Sequence, residues 1–293
     1  MQRVLVTGAG GFVGGHLRVE LGDLFVPFER DVLDGAAVRD AVRATRPDAV
    51  VHLAALSSVG GSFGDVAEVW QTNVLGTVTV VDALRAEAPD ARLLFPSSGD
   101  VYGRADVVPT PEDARVAPLS PYGASKAAAE LACTGVDAVV ARSFAHTGPG
   151  QDDRFAVGSW AAQLARIRRE GGGRLLVGNL DARRDLLDVR DVCRAYRALL
   201  DRSVPAGTYN VATGAPVSLR HVVDLLVAAA GVPVTVERDE ARLRPVDVPV
   251  LSGDPSRLHE ATDWAAAIPL EQTLADTLEA ARASAETERI PAA

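Results

Sequence analysis

The first two-thirds of the chain alternate short apolar, often β-branched runs with longer stretches of helical period. Residues 3–7, 24–28, 48–54, 92–96 and 137–141 are nearly continuous apolar runs, the pattern of strands buried on both faces. Between them, residues 11–21, 36–45, 66–88 and 122–133 read as helices. The third of these opens with Asp65 and Glu68 at the spacing of a capping box. Strand–helix alternation of this kind predicts an α/β fold with a doubly wound parallel sheet. One connection is short. Phe28 is followed almost at once by Asp31-Val32-Leu33-Asp34, which leaves no room for a crossover helix between them.

Beyond Phe144 the pattern changes. Residues 146–153 form a Gly/Pro/polar loop, and Gly171-Gly172-Gly173 marks another turn. Residues 188–200 predict an amphipathic helix with Val189, Val192, Cys193, Tyr196, Leu199 and Leu200 on one side. Residues 208–212 read as one more strand of the main sheet. Helices and short strands follow around 218–231, 234–237 and 270–281, and Asp254-Pro255 fits an N-cap followed by proline at the first helical position. Residues 284–293 read as a frayed tail.

Composition restricts the classes open to such a chain. Its 293 residues suffice for a full doubly wound domain plus a smaller lobe. With 47% hydrophobic and 24% charged residues, a disordered chain is excluded. A net charge of -9 argues against general affinity for nucleic acid or anionic membranes, although a local arginine cluster can still hold a small phosphate ligand. The two cysteines, Cys133 and Cys193, are isolated, so neither a disulfide nor a metal site is expected, and both read as small apolar packing residues. No apolar run approaches the ~20 residues of a membrane span, and the first residues enter a strand without the features of a signal peptide. A cytoplasmic protein is expected.

Three local features carry chemistry. Gly8-Ala9-Gly10-Gly11-Phe12-Val13-Gly14 joins a strand to a helix, where a dinucleotide pyrophosphate rests on backbone N–H groups and the helix dipole. Gly8 permits the tight turn, while Gly11 and Gly14 allow close approach of phosphate and of helix to sheet. Downstream, Glu29 and Arg30 fall where the adenosine ribose is read. An acid there suits a free 2′-hydroxyl and an arginine suits a 2′-phosphate, so the chain offers both. Asp31 and Val32 are candidates for the adenine edge, and Leu53-Ala54-Ala55 supplies small residues where a cofactor crosses the sheet. His16, in the following helix, reads as structural.

The segment Ser120-Pro121-Tyr122-Gly123-Ala124-Ser125-Lys126 puts a tyrosine and a lysine one helical turn apart, just after a proline. A phenol of pKa ~10 is a poor acid or base at neutral pH, and a neighbouring ammonium favours its ionised form. The strand over residues 92–96 ends in Ser97-Ser98, where a hydroxyl can meet that tyrosine. Together these features point to hydride transfer.

The same residues, with His52-Leu53-Ala54-Ala55 and Asn73-Val74-Leu75-Gly76-Thr77, resemble the extended short-chain dehydrogenase/reductase superfamily over nearly the whole chain. The resemblance implies a Rossmann domain with a smaller, mostly C-terminal substrate-binding lobe. The first would occupy residues 1–145, rejoined by about 185–212, and the lobe residues 146–184 and 213–293. It further implies Tyr122 as acid/base, Lys126 as ligand of the nicotinamide ribose and tuner of the tyrosine, and Ser98 as hydrogen-bond donor to the reacting oxygen. His146-Thr147-Gly148-Pro149-Gly150-Gln151, Val177-Gly178-Asn179-Leu180, the run from Arg184 to Asp191 and Leu243-Arg244-Pro245 are similar to the branch holding GDP-mannose 4,6-dehydratases and GDP-4-keto-6-deoxy-D-mannose reductases. The short second crossover and Ile268-Pro269-Leu270-Glu271 resemble the reductases more. That branch implies a GDP-linked hexose, with His146 as a substrate contact and Asn179, Arg184 and Arg244 as contacts to the nucleotide diphosphate.

The segment Ser98-Gly99-Asp100 separates reactions. Dehydratases of the superfamily place an acid/base carboxylate after the hydroxyl, whereas here Gly99 has no side chain and Asp100 is one methylene shorter than the usual glutamate. Dehydration is disfavoured and Asp100 becomes a candidate ligand of a sugar hydroxyl. Ala145 stands where relatives carry an asparagine, and the helix after Lys126 ends early, which leaves a family-type homodimer open. The expected activity is an NAD(P)H-dependent 4-ketoreductase of a GDP-4-keto-6-deoxyhexose, of GDP-6-deoxy-D-mannose (GDP-rhamnose) product type, using NADPH or NADH. A nucleotide-sugar 4-epimerase or 4,6-dehydratase with retained NAD(P) is the first alternative, and a non-catalytic nucleotide sensor the second.

Overall fold

A computed structural model describes residues 1–243 and 245–287. Its N-terminal part runs β1 (Val4–Thr7), α1 (Phe12–Leu21), β2 (Phe25–Phe28), α2 (Gly35–Thr45), β3 (Ala49–His52), α3 (Val66–Trp70), α4 (Gly76–Glu87), β4 (Arg92–Ser98), α5 (Pro121–Ala132) and β5 (Ala138–Ser143). The chain continues through β6 (Ala145–Thr147), α6 (Ala156–Arg169), β7 (Gly173–Val177), β8 (Arg183–Arg184), β9 (Leu186–Asp188), α7 (Val189–Leu199) and β10 (Gly207–Val211). It ends with β11 (Val217–Ser218), α8 (Leu219–Ala230), β12 (Val234–Arg238), β13 (Val250–Leu251), α9 (Ser256–Thr262) and α10 (Leu270–Thr287).

Six of these strands pair in parallel in the order β10-β5-β4-β3-β1-β2. The expected doubly wound α/β sheet is thus present, with β10 as the strand anticipated at 208–212. Strands β1, β3 and β4 are buried along their whole length, which is why they read as unbroken apolar runs. At the other edge, β2 contains Pro27, which lacks the N–H a further neighbour would need. The short link after Phe28 leads straight into α2, so β2 stays the edge where larger members of this topology add another strand.

Local chemistry sets the helix starts that matter for the site. Ser120 accepts a hydrogen bond from Gly123 N at 3.0 Å and Pro121 opens α5. Asp65 caps α3 through Glu68 N at 2.8 Å. The single helix expected over 66–88 is interrupted by a π turn at Gln71–Leu75. There the Asn73 side chain bonds both Leu56 N (2.8 Å) and Leu56 O (3.1 Å), and also Ser125 Oγ (2.9 Å). Such turns re-aim a side chain without ending a helix, and this one ties the loop after β3 to the helix of Tyr122.

The C-terminal elements gather around a second core that includes Trp160, Leu164, Leu175, Leu226 and Leu274. Helix α6, absent from the sequence expectation, supplies its centre with a stripe at Val157, Trp160, Ala161, Leu164 and Ile167. The cap expected at Asp254 is displaced by one residue: Asp254 bonds Ser256 N and Oγ, and α9 starts at Ser256 after Pro255. Residues 284–287 belong to α10 and not to a frayed tail; the remainder of that expectation lies outside the described residues. Among the described residues, no helix is long and apolar enough to cross a membrane.

Candidate active site

A cleft of about 1280 Å³ opens over the carboxyl ends of the parallel strands, between the sheet and the C-terminal elements. Its size exceeds that of most single-ligand pockets. One wall is the glycine turn. Gly8 has φ +66°, and a Cβ there would stand 2.6 Å from Ala54 N. A Cβ on Gly14 would stand 2.5 Å from Ala9 O, so α1 can sit this close to β1 only with glycine at that position. Gly11 N closes the turn on Gly8 O at 3.0 Å. The first turn of α1 contains no acidic residue and takes no side-chain cap, which leaves its N–H groups and positive dipole end facing the cleft. These residues fit a dinucleotide pyrophosphate.

Of the other residues expected on the cofactor, Phe12, Val13, Leu53 and Ala55 also line the cleft. Ala54 lies behind it, against Gly8. Glu29, Arg30 and Asp31 are exposed just past the end of β2, beyond the cleft lining. Asp31 Oδ1 accepts Leu33 N at 2.9 Å, an Asx turn that leads into α2. Val32 is a core residue whose side chain lies against Gly76, which leaves only its backbone to face a ligand.

Ser98, Tyr122 and Lys126 converge on the opposite wall, all three at least nine-tenths buried. Ser98 Oγ donates to Asp100 Oδ2 at 3.0 Å and accepts from Asp100 N at 3.1 Å, close enough to the Tyr122 phenol to act on its proton. Burial pushes the Tyr122 phenol well above its ordinary range; the Asp100 carboxylate pushes the same way, and the Ser98 hydroxyl opposes both. The Lys126 ammonium was expected to lower that phenol, but burial outweighs any such help. Lys126 is itself pulled down to about 8 by burial, and its Nζ donates to Pro96 O at 2.7 Å. Tyr122 therefore holds its proton at neutral pH.

Behind these groups lies a polar frame that the sequence reading did not contain. Glu130, two turns on from Tyr122, accepts from Ser97 Oγ and pairs with both forks of Arg142 at 3.0 and 2.7 Å. His52 bonds Thr7 Oγ1 at 2.7 Å and Thr77 Oγ1 at 3.2 Å, and burial drives it down to about 3, so it is neutral. A Cβ on Gly99 would stand 2.7 Å from the Phe144 ring, which excludes any side chain at that position.

The substrate-side residues are only partly brought together. Asn179 and Arg184 meet through Asp247: Asn179 Nδ2 donates to one carboxylate oxygen at 2.7 Å, and Arg184 pairs with the other. Arg184 also donates to Val248 O at 2.8 Å. Asp100 lines the same region. Arg244 lies outside the described residues, while Arg242, not singled out from sequence, lines the cleft and donates to Ser159 Oγ at 3.1 Å. His146 lines the cleft as well. Its ring stacks on Phe12 of α1 at 6.4 Å, and His16, beside Phe12, bonds Pro149 O at 2.9 Å. His146 thus stacks on the glycine-turn helix while lining the same cleft as Asn179 and Arg184. Ala145, in β6, pairs with Leu186 of β9.

A glycine turn under one helix and a buried Ser–Tyr–Lys set under another, on one parallel sheet, are the marks of the extended short-chain dehydrogenases/reductases. Within that class, the chain belongs to the GDP-mannose 4,6 dehydratase family, whose model matches residues 18–277. It is 38% identical over 289 residues to the GDP-6-deoxy-D-mannose reductase of Pseudomonas aeruginosa, covering 93% of this chain and 95% of that protein. The structure of RMD from Pseudomonas aeruginosa complexed with NADPH superposes with a TM-score of 0.89 at 36% identity, over 97% of this chain and 100% of that one. The UDP-glucose 4-epimerase of Thermus thermophilus, in complex with NAD, gives a TM-score of 0.85 at 28% identity, over 96% and 99% of the two chains.

Proposed function

We propose that this protein is an NAD(P)H-dependent 4-ketoreductase of a GDP-linked 4-keto-6-deoxyhexose. The observation that carries the reading is the protonated, buried Tyr122 beside Ser98 in a cleft with no room for an acid at position 99. Reduction of a ketone consumes a proton at the developing alkoxide, and a neutral phenol is suited to give it. The similarity to a GDP-6-deoxy-D-mannose reductase supports the same substrate class.

The bound nicotinamide cofactor supplies the hydride. Gly8, Gly11 and Gly14 seat its pyrophosphate, Phe12 and Val13 border it, and Lys126 holds the nicotinamide ribose. Glu29 and Arg30 read the 2′ position. Ser98 turns its proton from Asp100 to the carbonyl oxygen as negative charge develops there, and Tyr122 delivers its phenolic proton to the same oxygen. Asn179, Arg184 and Arg244 hold the nucleotide end of the substrate, with Asp247 fixing the first two. A non-catalytic sensor has no use for a hydroxyl and a phenol aligned in this way.

The same reading divides the chain into a Rossmann domain (1–145, rejoined by about 185–212) and a substrate-binding lobe (146–184 and 213–293), and places its work in the cytoplasm. Exposed Trp70 on α3, Leu75 in the π turn, Val78 on α4 and Leu131 on α5 are apolar residues that suit contact with a second copy of the chain. The activity is tested by offering GDP- and UDP-linked 4-keto sugars with NADPH or NADH and following loss of the reduced cofactor. Stoichiometric consumption supports the ketoreductase, and turnover without net cofactor change supports the epimerase or dehydratase.

A further inference from the structure

Ser143 and Tyr196 have no part in the mechanism above, yet both line the cleft. Ser143 ends β5, in register with Ser98 at the end of β4. Tyr196 comes from α7, which packs against α1, and its ring belongs to the cluster that holds Phe12, Val13 and Leu53. The two hydroxyls are 2.7 Å apart and almost wholly buried. Tyr196 is also close enough to Tyr122 to feel its charge. Two Ser–Tyr pairs therefore stand at the ends of neighbouring strands, the second with its tyrosine on the face of the sheet that α1 covers.

Counting donors and acceptors shows what this pair can bind. Each hydroxyl has one proton and two lone pairs, and the bond between them uses one of each. One O–H and several lone pairs remain, with no further hydrogen-bond partner for either side chain among the described residues. Each hydroxyl is satisfied by the other, and the spare O–H and lone pairs are open to a ligand in the cleft. A ligand group that uses both offers an acceptor and a donor together. A phosphate offers acceptors only, whereas a primary carboxamide offers a C=O and an NH₂ on one carbon.

We propose that Ser143 and Tyr196 bind the carboxamide of the nicotinamide ring and thereby fix which face of the ring meets the substrate. The proposal rests on the dinucleotide reading given above. It differs from that reading in assigning ring orientation to two residues outside the Ser98/Tyr122/Lys126 set.

Calorimetry on the full chain separates the two. The probes are NADP⁺, its 3-acetylpyridine analogue, which keeps the acceptor and lacks the amide donor, and ADP-ribose 2′-phosphate, which lacks the ring. Wild-type protein should prefer NADP⁺ to the acetylpyridine analogue by about fivefold or more, the scale of one neutral hydrogen bond. Tyr196→Phe and Ser143→Ala should each weaken NADP⁺ about tenfold, change ADP-ribose 2′-phosphate by less than about twofold, and abolish the preference between the two ring-bearing probes. A wild type with no such preference overturns the proposal without recourse to any variant. Equal losses on ring-bearing and ringless probes would assign the pair a structural role and also overturn it. Failure of ADP-ribose 2′-phosphate to bind at all would remove the dinucleotide reading and this inference with it.

Discussion

Replacing Asp100 with asparagine tests the electrostatics of the proton donor. Asn keeps the size and the acceptor oxygen that Ser98 uses and removes the negative charge. Ser98 Oγ lies 3.0 Å from Asp100 Oδ2, and both groups act on the Tyr122 phenol. The length of two hydrogen bonds, about 5–6 Å, sets the scale for the separation of carboxylate and phenol. At an effective dielectric of ~20, a unit charge at that distance is worth about 3 kcal/mol. Asp100 is only half-buried, and solvent screening reduces the figure to about 1.5 kcal/mol, or roughly one pH unit. The sign follows from the chemistry. Reduction needs the protonated phenol, so activity falls as pH rises through its pKa, and the Asp100 charge holds that pKa up. Asp100→Asn should therefore move the alkaline limb of kcat/KM about one unit toward lower pH. The assay is NADPH-dependent reduction of a GDP-4-keto-6-deoxyhexose from neutral pH upward through the alkaline limb, which lies above the ordinary phenol value. An unmoved limb, or one shifted to higher pH, would show that the Asp100 charge does not act on Tyr122.

Tyr122→Phe should lower the rate of reduction by about 100-fold or more while leaving cofactor affinity nearly unchanged, as read by single-turnover kinetics and calorimetry. NADPH and NADH should be used with efficiencies within about tenfold of each other; Arg30→Ala should penalise NADPH and Glu29→Ala should penalise NADH, and a wild-type preference beyond about a hundredfold would show that one of the two side chains points away from the ribose. Arg184→Ala should weaken GDP binding by about 10- to 150-fold in calorimetry, the scale of one charge-assisted contact, whereas a large loss of Tm with GDP affinity retained would make Arg184 a structural partner of Asp247. His52, held down to about 3 against an ordinary 6.5, takes up its proton more readily in the unfolded chain. Folding stability should therefore fall as pH drops below about 6.5, by up to about 1.4 kcal/mol per unit from this residue, and His52→Gln should flatten that slope in urea titrations between about pH 5 and pH 6.5.

The parts of the fold legible in the sequence are those whose local pattern matches their environment. Strands β1, β3 and β4 are buried throughout and read as apolar runs, and the glycine turn and the Ser120-Pro121 start of α5 are local signals that tertiary structure does not alter. The π turn was hidden, because Asn73 is a ligand of Leu56 and Ser125, and helical periodicity carries no record of that contact. Helix α6 has a regular stripe, but it begins at Phe155 without a side-chain cap and lies between glycine-rich turns that read as loop. Within the site, Ser98, Tyr122 and Lys126 announce themselves by spacing. Asp247, Arg242, Ser143 and Tyr196 do not, since each takes its place only through contacts that span many residues, such as the 68 positions between Asn179 and Asp247. His146 was legible as a site residue but not as a stacking partner of Phe12, because nothing in its segment encodes which wall it joins.

The most direct test of the account is a cofactor balance. The purified protein is given a GDP-linked 4-keto-6-deoxyhexose and NADPH, and product formation and loss of NADPH absorbance are followed together. The account requires one NADPH oxidised for each 4-hydroxy sugar formed, with no product when the reduced cofactor is omitted. Product formed from a nucleotide sugar while NADPH stays constant would contradict it.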